Sequence, residues 1–243
     1  MTRQVKCCLN GARARSEHPA LPLTAAELAS SAAAAVAAGA SALHMHPRDA
    51  GGAQTLLARW CDAAVAAVRA AAPGTPVGLS TAEWIEPDLE RRLARIAEWR
   101  VRPDFCSVNL VEAGCERVME RLWSLGIGVE AGLRSVADAE LLGALGVAAR
   151  CVRVLVEIDG AGLAPAAACR VAAEVDGALD AAGVTAERLH HGFGPATWAV
   201  IRQGLDLGRD VRVGLEDVLT LPDGAPAPGN AELVAAAVAL ARA

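Results

Sequence analysis

Short apolar runs alternate with longer amphipathic or alanine-rich stretches along the whole chain, and the alternation repeats eight times. Val5 to Leu9 reads as a strand ending at Asn10-Gly11. Thr24 followed by Glu27 reads as the capping box of a helix running to Gly39. Ala42 to His46 is the second strand. After Gly51-Gly52, a helix over 54–72 places Leu56, Leu57, Trp60, Ala64, Val65 and Val68 at helical spacing. The same reasoning predicts strands at 76–80, 105–109, 127–133, 152–158, 188–191 and 211–216. The helices that follow them fall at 87–100, 114–125, 135–145, 165–182, 195–207 and 230–241.

Eight strand–helix units with short connections predict an α/β fold, a single (β/α)8 TIM barrel occupying residues 1–243 with no internal domain boundary. A doubly wound open sheet is the structural rival. It usually shows a glycine-rich phosphate turn after an early strand, and Gly-x-Gly-x-x-Gly is absent; Gly192-Phe193-Gly194-Pro195 comes late and runs into proline.

In such a barrel the chemistry sits at the C-terminal strand ends. Nearly every predicted strand delivers a polar side chain there: Asn10, His44 and His46, Ser80 and Thr81, Ser107 and Asn109, Glu130, Glu157, His190 and His191, and finally Arg212, Glu216 and Asp217. Side chains alternate across a strand, so His44 and His46 share a face while Leu43 and Met45 take the other. Two imidazoles on one face of an apolar strand need buried partners, and a divalent metal supplies them if a carboxylate joins. Alternation along Val211 to Asp217 puts Arg212, Gly214 and Glu216 on one face, which makes Glu216 the best third ligand. Arg212 then needs a carboxylate such as Asp217, because an unpaired buried guanidinium is very costly. Glu157 and Glu130, taken singly, read as ordinary loop or capping charges, and only one of His190 and His191 can face the barrel axis.

Composition narrows the picture. Hydrophobic residues make up 53% and charged residues 21%, as in a globular chain with a large core. A net charge of -5 and the lack of basic clusters interleaved with aromatics argue against nucleic acid as a partner. The N-terminus lacks the apolar core of a signal peptide, and no stretch approaches the roughly 18–20 apolar residues of a membrane span, so no membrane partner and a cytoplasmic location are expected. Seven scattered cysteines without CxxC spacing read as reduced, mostly buried thiols. Lys6 is the one lysine and sits early in the first strand, where burial at the barrel base is expected. Carbon–carbon cleavage beside a carbonyl needs a lysine Schiff base or a metal that stabilises an enolate, and the metal route is the one left open.

The segments Asn10-Gly11-Ala12 with Pro22-Leu23-Thr24, His44-Met45-His46-Pro47-Arg48-Asp49, Ser80-Thr81, Ser107-Val108-Asn109 and Arg212-Val213-Gly214-Leu215-Glu216-Asp217 resemble the β-keto acid cleavage enzymes over most of the chain. The resemblance implies a (β/α)8 barrel in which His44, His46 and Glu216 hold a divalent metal, usually zinc. It implies cleavage of a β-keto acid with acetyl-CoA, giving acetoacetate and a new CoA thioester, in a homo-oligomer. Ser80 would contact or protonate the ketone or enolate, and Asp217, positioned with Arg212, would be the general base. Asn10, Arg13, Thr81, Ser107, Asn109, Glu130 and Arg48 are the expected substrate-binding residues, with Arg48 and Asp49 better suited to loop support or the substrate edge. Arg13 stands where the typical member has a glutamate that helps bind an amino substrate, which implies an anionic or neutral β-keto acid instead. The chain is shorter than typical members, so reduced loops around the CoA site are expected. A metal-dependent hydrolase or class II aldolase-like lyase could use the same ligands without CoA, and a noncatalytic metal-binding or sensing barrel would need a closed metal site.

Overall fold

A computed structural model describes residues 3–243; Met1 and Thr2, part of the N-terminus read as lacking a signal peptide, lie outside the described residues. Strands β1 (Val5–Cys8), β2 (Ala42–Met45), β3 (Val77–Ser80), β4 (Phe105–Asn109), β5 (Gly128–Leu133), β6 (Arg153–Ile158), β7 (Arg188–Gly192) and β8 (Asp210–Val213) pair in parallel, in chain order, into a closed barrel. Closure comes from β1 on β8, with Lys6 opposite Arg212 and Cys7 opposite Val213. Among the described residues, eight α-helices cover the outside: α1 (Ala25–Ala37), α2 (Ala58–Ala71), α3 (Leu89–Ala97), α4 (Cys115–Ser124), α5 (Val136–Leu145), α6 (Pro165–Ala181), α7 (Thr197–Asp206) and α8 (Asn230–Arg242). The chain is therefore a (β/α)8 barrel. The capping box at the start of α1 is formed, with the Thr24 hydroxyl accepting from the Glu27 amide.

Strand alternation divides the interior in two. Leu43, Met45, Val77, Leu79, Cys106, Val108, Val154 and Val156 belong to the apolar layer between barrel and helices. The opposite parity points to the axis, and there the deep layer is charged rather than aliphatic. Lys6 Nζ lies 2.6 Å from Glu130 Oε2, Arg153 Nε lies 3.2 Å from Glu130 Oε1, and the Phe105 ring stands 5.8 Å from Lys6 and 6.0 Å from Arg153. Lys6 is fully buried, as its early place in the strand implies. Burying a lysine costs several kcal/mol unless it is paired, and Glu130 supplies the pair. All seven cysteines are free, five of them buried.

The eighth strand departs from expectation. The predicted run to Glu216 stops at Val213, and a turn follows in which the Asp217 and Val218 amides donate to the Gly214 carbonyl at 2.8 and 3.0 Å. Glycine is required at 214 because a Cβ there would fall 1.9 Å from the Cys8 carbonyl oxygen, a backbone atom that cannot step aside. Glu216 thus reaches the barrel mouth from a turn held against β1, not by strand alternation.

Gly214→Ala should lower stability by at least about 2 kcal/mol, read as an earlier urea midpoint, because two backbones must separate to admit the methyl group. An unchanged midpoint would mean that the turn does not pack on β1 this closely.

Candidate metal centre and the cavity above it

His44 closes the inward face of β2, and His46 follows one residue past the strand. Asn10 sets that extension. Its side chain accepts from the His46 amide at 2.9 Å and donates to the carbonyls of His46 and Pro22 at 2.9 and 3.0 Å, so it takes over where the sheet ladder ends. The two imidazole Nε2 atoms lie 3.2 Å apart, and Glu216 Oε2 lies 3.9 Å from His44 Nε2 and 3.7 Å from His46 Nε2. Donor atoms around a tetrahedral ion at about 2.0–2.2 Å stand roughly 3.3–3.6 Å apart, so small side-chain adjustments admit a divalent ion.

Two further observations fit a metal. Glu216 Oε1 accepts from Arg212 at 2.6 Å, whereas Oε2 is buried without a hydrogen-bond partner among the described residues. His46 Nδ1 meets Gln54 Oε1, an acceptor only, which fixes the proton on Nδ1 and leaves Nε2 as a lone pair. Burial pushes the His46 pKa down, against the pull of Glu216; burial and then the neighbouring His46 and Lys6 push His44 well down. Both rings are thus neutral donors, as a metal requires.

Above the trio opens a cavity of about 340 Å³. Of the residues expected at the substrate, Arg13, Ser80, Ser107 and Asn109 line it, as do His44, His46, Arg212 and Glu216. Asn109 is oriented by Glu112, whose Oε1 accepts from its amide at 2.7 Å while Oε2 accepts from the buried Arg92, also at 2.7 Å.

Five expected residues do not line the cavity. Glu130 belongs to the charged layer deeper in the barrel, where Lys6 and Arg153 occupy its carboxylate. Asn10 is the clasp described above. Thr81 turns away and donates to the Ser107 carbonyl at 2.8 Å, tying the end of β3 to β4. Arg48 donates to the carbonyls of Gly11 and Arg13, and so supports the loop that carries Arg13. Asp217 is fully buried behind Arg212, which reaches its Oδ1 at 2.7 Å.

Other residues of the site were underweighted or missed. Glu157, read as a routine charge, ends the inward face of β6 and lines the cavity, 3.4 Å from His191 Nε2 and 3.7 Å from Arg212 Nη1. His191 is the inward member of its pair, with Nδ1 3.9 Å from Asp217, while His190 faces the helices and meets Asp176 at 2.9 Å. Burial works to raise the Glu157 pKa, but the contact with His191 and the charges of Arg212 and Arg134 hold it at about 2. Burial pushes the Asp217 carboxyl up, against the charge of Arg212. Its place at the end of an otherwise apolar strand was the available signal for Glu157. Gln54, Trp84, Arg134 and Phe193 come from loops and carried none.

A family model described as beta-keto acid cleavage enzyme matches residues 4–140 and 162–243. A search of curated proteins returns no match. Among solved structures, the binary complex of ObcA with oxaloacetate superposes with a TM-score of 0.73 at 19% identity, over 89% of this chain and 62% of that one. The ternary complex of ObcA with a C4-CoA adduct and oxalate gives 0.71 at 20% identity over the same shares. The N-acetylmannosamine-6-phosphate 2-epimerase from Clostridium perfringens gives 0.55 at 13% identity, over 88% and 87% of the two chains. At these identities the superpositions speak for the barrel, and the chain spans about three-fifths of the ObcA chains.

Equilibrium dialysis followed by elemental analysis should find about one divalent metal per chain, lost in His46→Ala. Gln54→Leu should keep the fold but weaken metal affinity by about 10–100-fold, as expected when the partner orienting a ligand histidine is removed. Full occupancy in His46→Ala would refute the ligand assignment.

Proposed function

Because the chain belongs to the β-keto acid cleavage enzyme family, matched over most of its length, we propose that it cleaves a β-keto acid with acetyl-CoA as co-substrate and depends on a divalent metal, zinc being the favoured ion. The observation that carries the reading is the convergence of His44, His46 and Glu216 donor atoms, within 4.8 Å of one another, at the floor of the cavity. Two neutral imidazoles and one carboxylate leave a zinc ion with net positive charge and open positions, able to polarise the substrate's oxygens and stabilise negative charge on them. The oxaloacetate and C4-CoA adduct of the ObcA structures agree with a β-keto acid and a CoA thioester as reactants.

In the proposed exchange, the bond between the keto carbon and C2 of the β-keto acid breaks. The acetyl group of acetyl-CoA takes its place on C2, giving acetoacetate, and the remaining acyl group leaves on the CoA sulfur. The protein's own groups divide the work. Ser80 offers a hydroxyl at the cavity wall to the reacting ketone or enolate, and Ser107 and the Glu112-oriented Asn109 offer hydrogen bonds along one side. Arg212 presents a permanent positive charge, because Asp217 and the other carboxylates around it more than offset the cost of its burial.

Asp217 is the proposed general base, on the strength of the motif it shares with the family. A second reading assigns proton transfer to Glu157, because its carboxylate lines the cavity and that of Asp217 does not. His191 lies between the two carboxylates, its Nε2 3.4 Å from Glu157 and its Nδ1 3.9 Å from Asp217. The free thiols suit a reducing cytoplasm, and a homo-oligomer is proposed from the family resemblance alone.

Purified zinc-loaded protein given acetyl-CoA and a panel of β-keto acids should form acetoacetate. Equal consumption of the β-keto acid without acetyl-CoA would instead favour a hydrolase or a retro-aldol lyase. Asp217→Asn should lower kcat by about 100-fold or more while leaving the metal bound. If Asp217→Asn keeps most of its turnover and Glu157→Gln loses it, Glu157 is the base.

A further inference from the structure

Arg134 follows β5, and in the closed order of strands β5 stands opposite β1. The metal-ligand trio comes from β2 and the turn after β8, the two neighbours of β1. A molecule that engages the trio and fills the 340 Å³ cavity therefore brings its far end to Arg134, which lines the same cavity. The guanidinium there is poised rather than committed. Its side chain is 41% exposed and its nearest carboxylate oxygen is Glu157 Oε2, 3.8 Å from Nε, beyond hydrogen-bond range. No hydrogen bond satisfies its terminal nitrogens among the described residues.

The other two guanidiniums at the cavity each already hold a carboxylate at hydrogen-bond distance. Arg13 Nη1 holds Glu17 at 2.9 Å, and Arg212 is surrounded by carboxylates, with Glu216 and Asp217 at 2.6 and 2.7 Å. Glu157, the one carboxylate within 4 Å of the Arg134 guanidinium among the described residues, is shared with His191 and Arg212. Trp84 and Phe193 also line the cavity and offer aromatic surface that suits methylene groups.

Building on the cleavage reading, we propose that the substrate is a β-keto acid with a second carboxylate at its distal end, and that Arg134 binds this carboxylate. A planar guanidinium with two free terminal nitrogens matches a carboxylate in bidentate fashion, and a distal ammonium would be repelled. A CoA phosphate offers the same anionic oxygens. The cavity between the trio and Arg134 is of small-substrate size, which favours the carboxylate.

The test is calorimetric binding of 3-oxohexanedioate and 3-oxohexanoate to the zinc-loaded full chain without acetyl-CoA. The two acids have equal carbon-chain length, and the first carries a carboxylate where the second ends in a methyl group. The parent protein should bind the dioate on the order of tenfold or more tightly, the effect expected for a charge-assisted hydrogen bond. Arg134→Gln should erase that gap while leaving 3-oxohexanoate affinity unchanged. A gap below about twofold in the parent protein, or one that persists in Arg134→Gln, overturns the proposal. A rise in KM for acetyl-CoA alone on Arg134→Gln would assign Arg134 to a phosphate and also overturn it. Arg134-dependent preference for the dioate without acetoacetate formation would uphold the carboxylate anchor and reject the cleavage reading instead.

Discussion

The site depends on a single buried guanidinium. Arg212 rises from β8 with only 2% of its surface exposed, within reach of carboxylates from two strand ends: Asp217 at 2.7 Å, Glu216 at 2.6 Å and Glu157 at 3.7 Å. Stripped of water, such a charge costs several kcal/mol unless it is paired and hydrogen-bonded, so the carboxylates are not optional. In return, Arg212 fixes them. By taking Glu216 Oε1 it leaves Oε2 as the free donor aimed at the two histidines, and by taking Asp217 it anchors the turn that brings Glu216 over β1. Proposed metal ligand, proposed base and barrel closure are coupled through one side chain.

The layer beneath has the same character on a smaller scale. Lys6, Glu130 and Arg153 replace the branched aliphatic residues that usually fill a barrel's interior, with Phe105 packed among them over Gly78. The barrel axis thus carries charged groups in its deep layer and again at the mouth, with Leu155 and Leu189 between them, and most of the apolar work of folding is done in the shell between strands and helices. That division lets the interior carry charges for chemistry without removing the hydrophobic driving force that closes the barrel.

Periodicity made the architecture legible, because each strand and helix buries one face against the same shell and repeats its pattern. The histidine pair was legible for the same reason: alternation within one short strand puts His44 and His46 together. Depth was not legible. Glu130 and Glu157 look alike in sequence, each a lone acid in an apolar strand, yet Glu130 pairs in register with Arg153 at the start of β6 and Glu157 with His191 near the end of β7. The stagger between tilted strands decides which acid reaches the mouth, and no pattern within one strand encodes stagger. Glu216 was identified through an alternation that the chain does not follow, since the strand ends at Val213 and a turn delivers the side chain. Asn10 and Arg48 were recognisable as special residues, but their partners are backbone groups of distant segments, so their structural work could not be read before the fold was in hand.

The family, the charged groups along the axis and the three converging donor atoms support one proposed account: a barrel that would hold a divalent ion at its floor and a small β-keto acid above it. The most direct test is the position of the metal itself. Crystals grown with zinc and measured at its absorption edge should show one anomalous peak at about 2.0–2.2 Å from His44 Nε2, His46 Nε2 and Glu216 Oε2. No peak there, or a zinc ion bound by other residues, would contradict it.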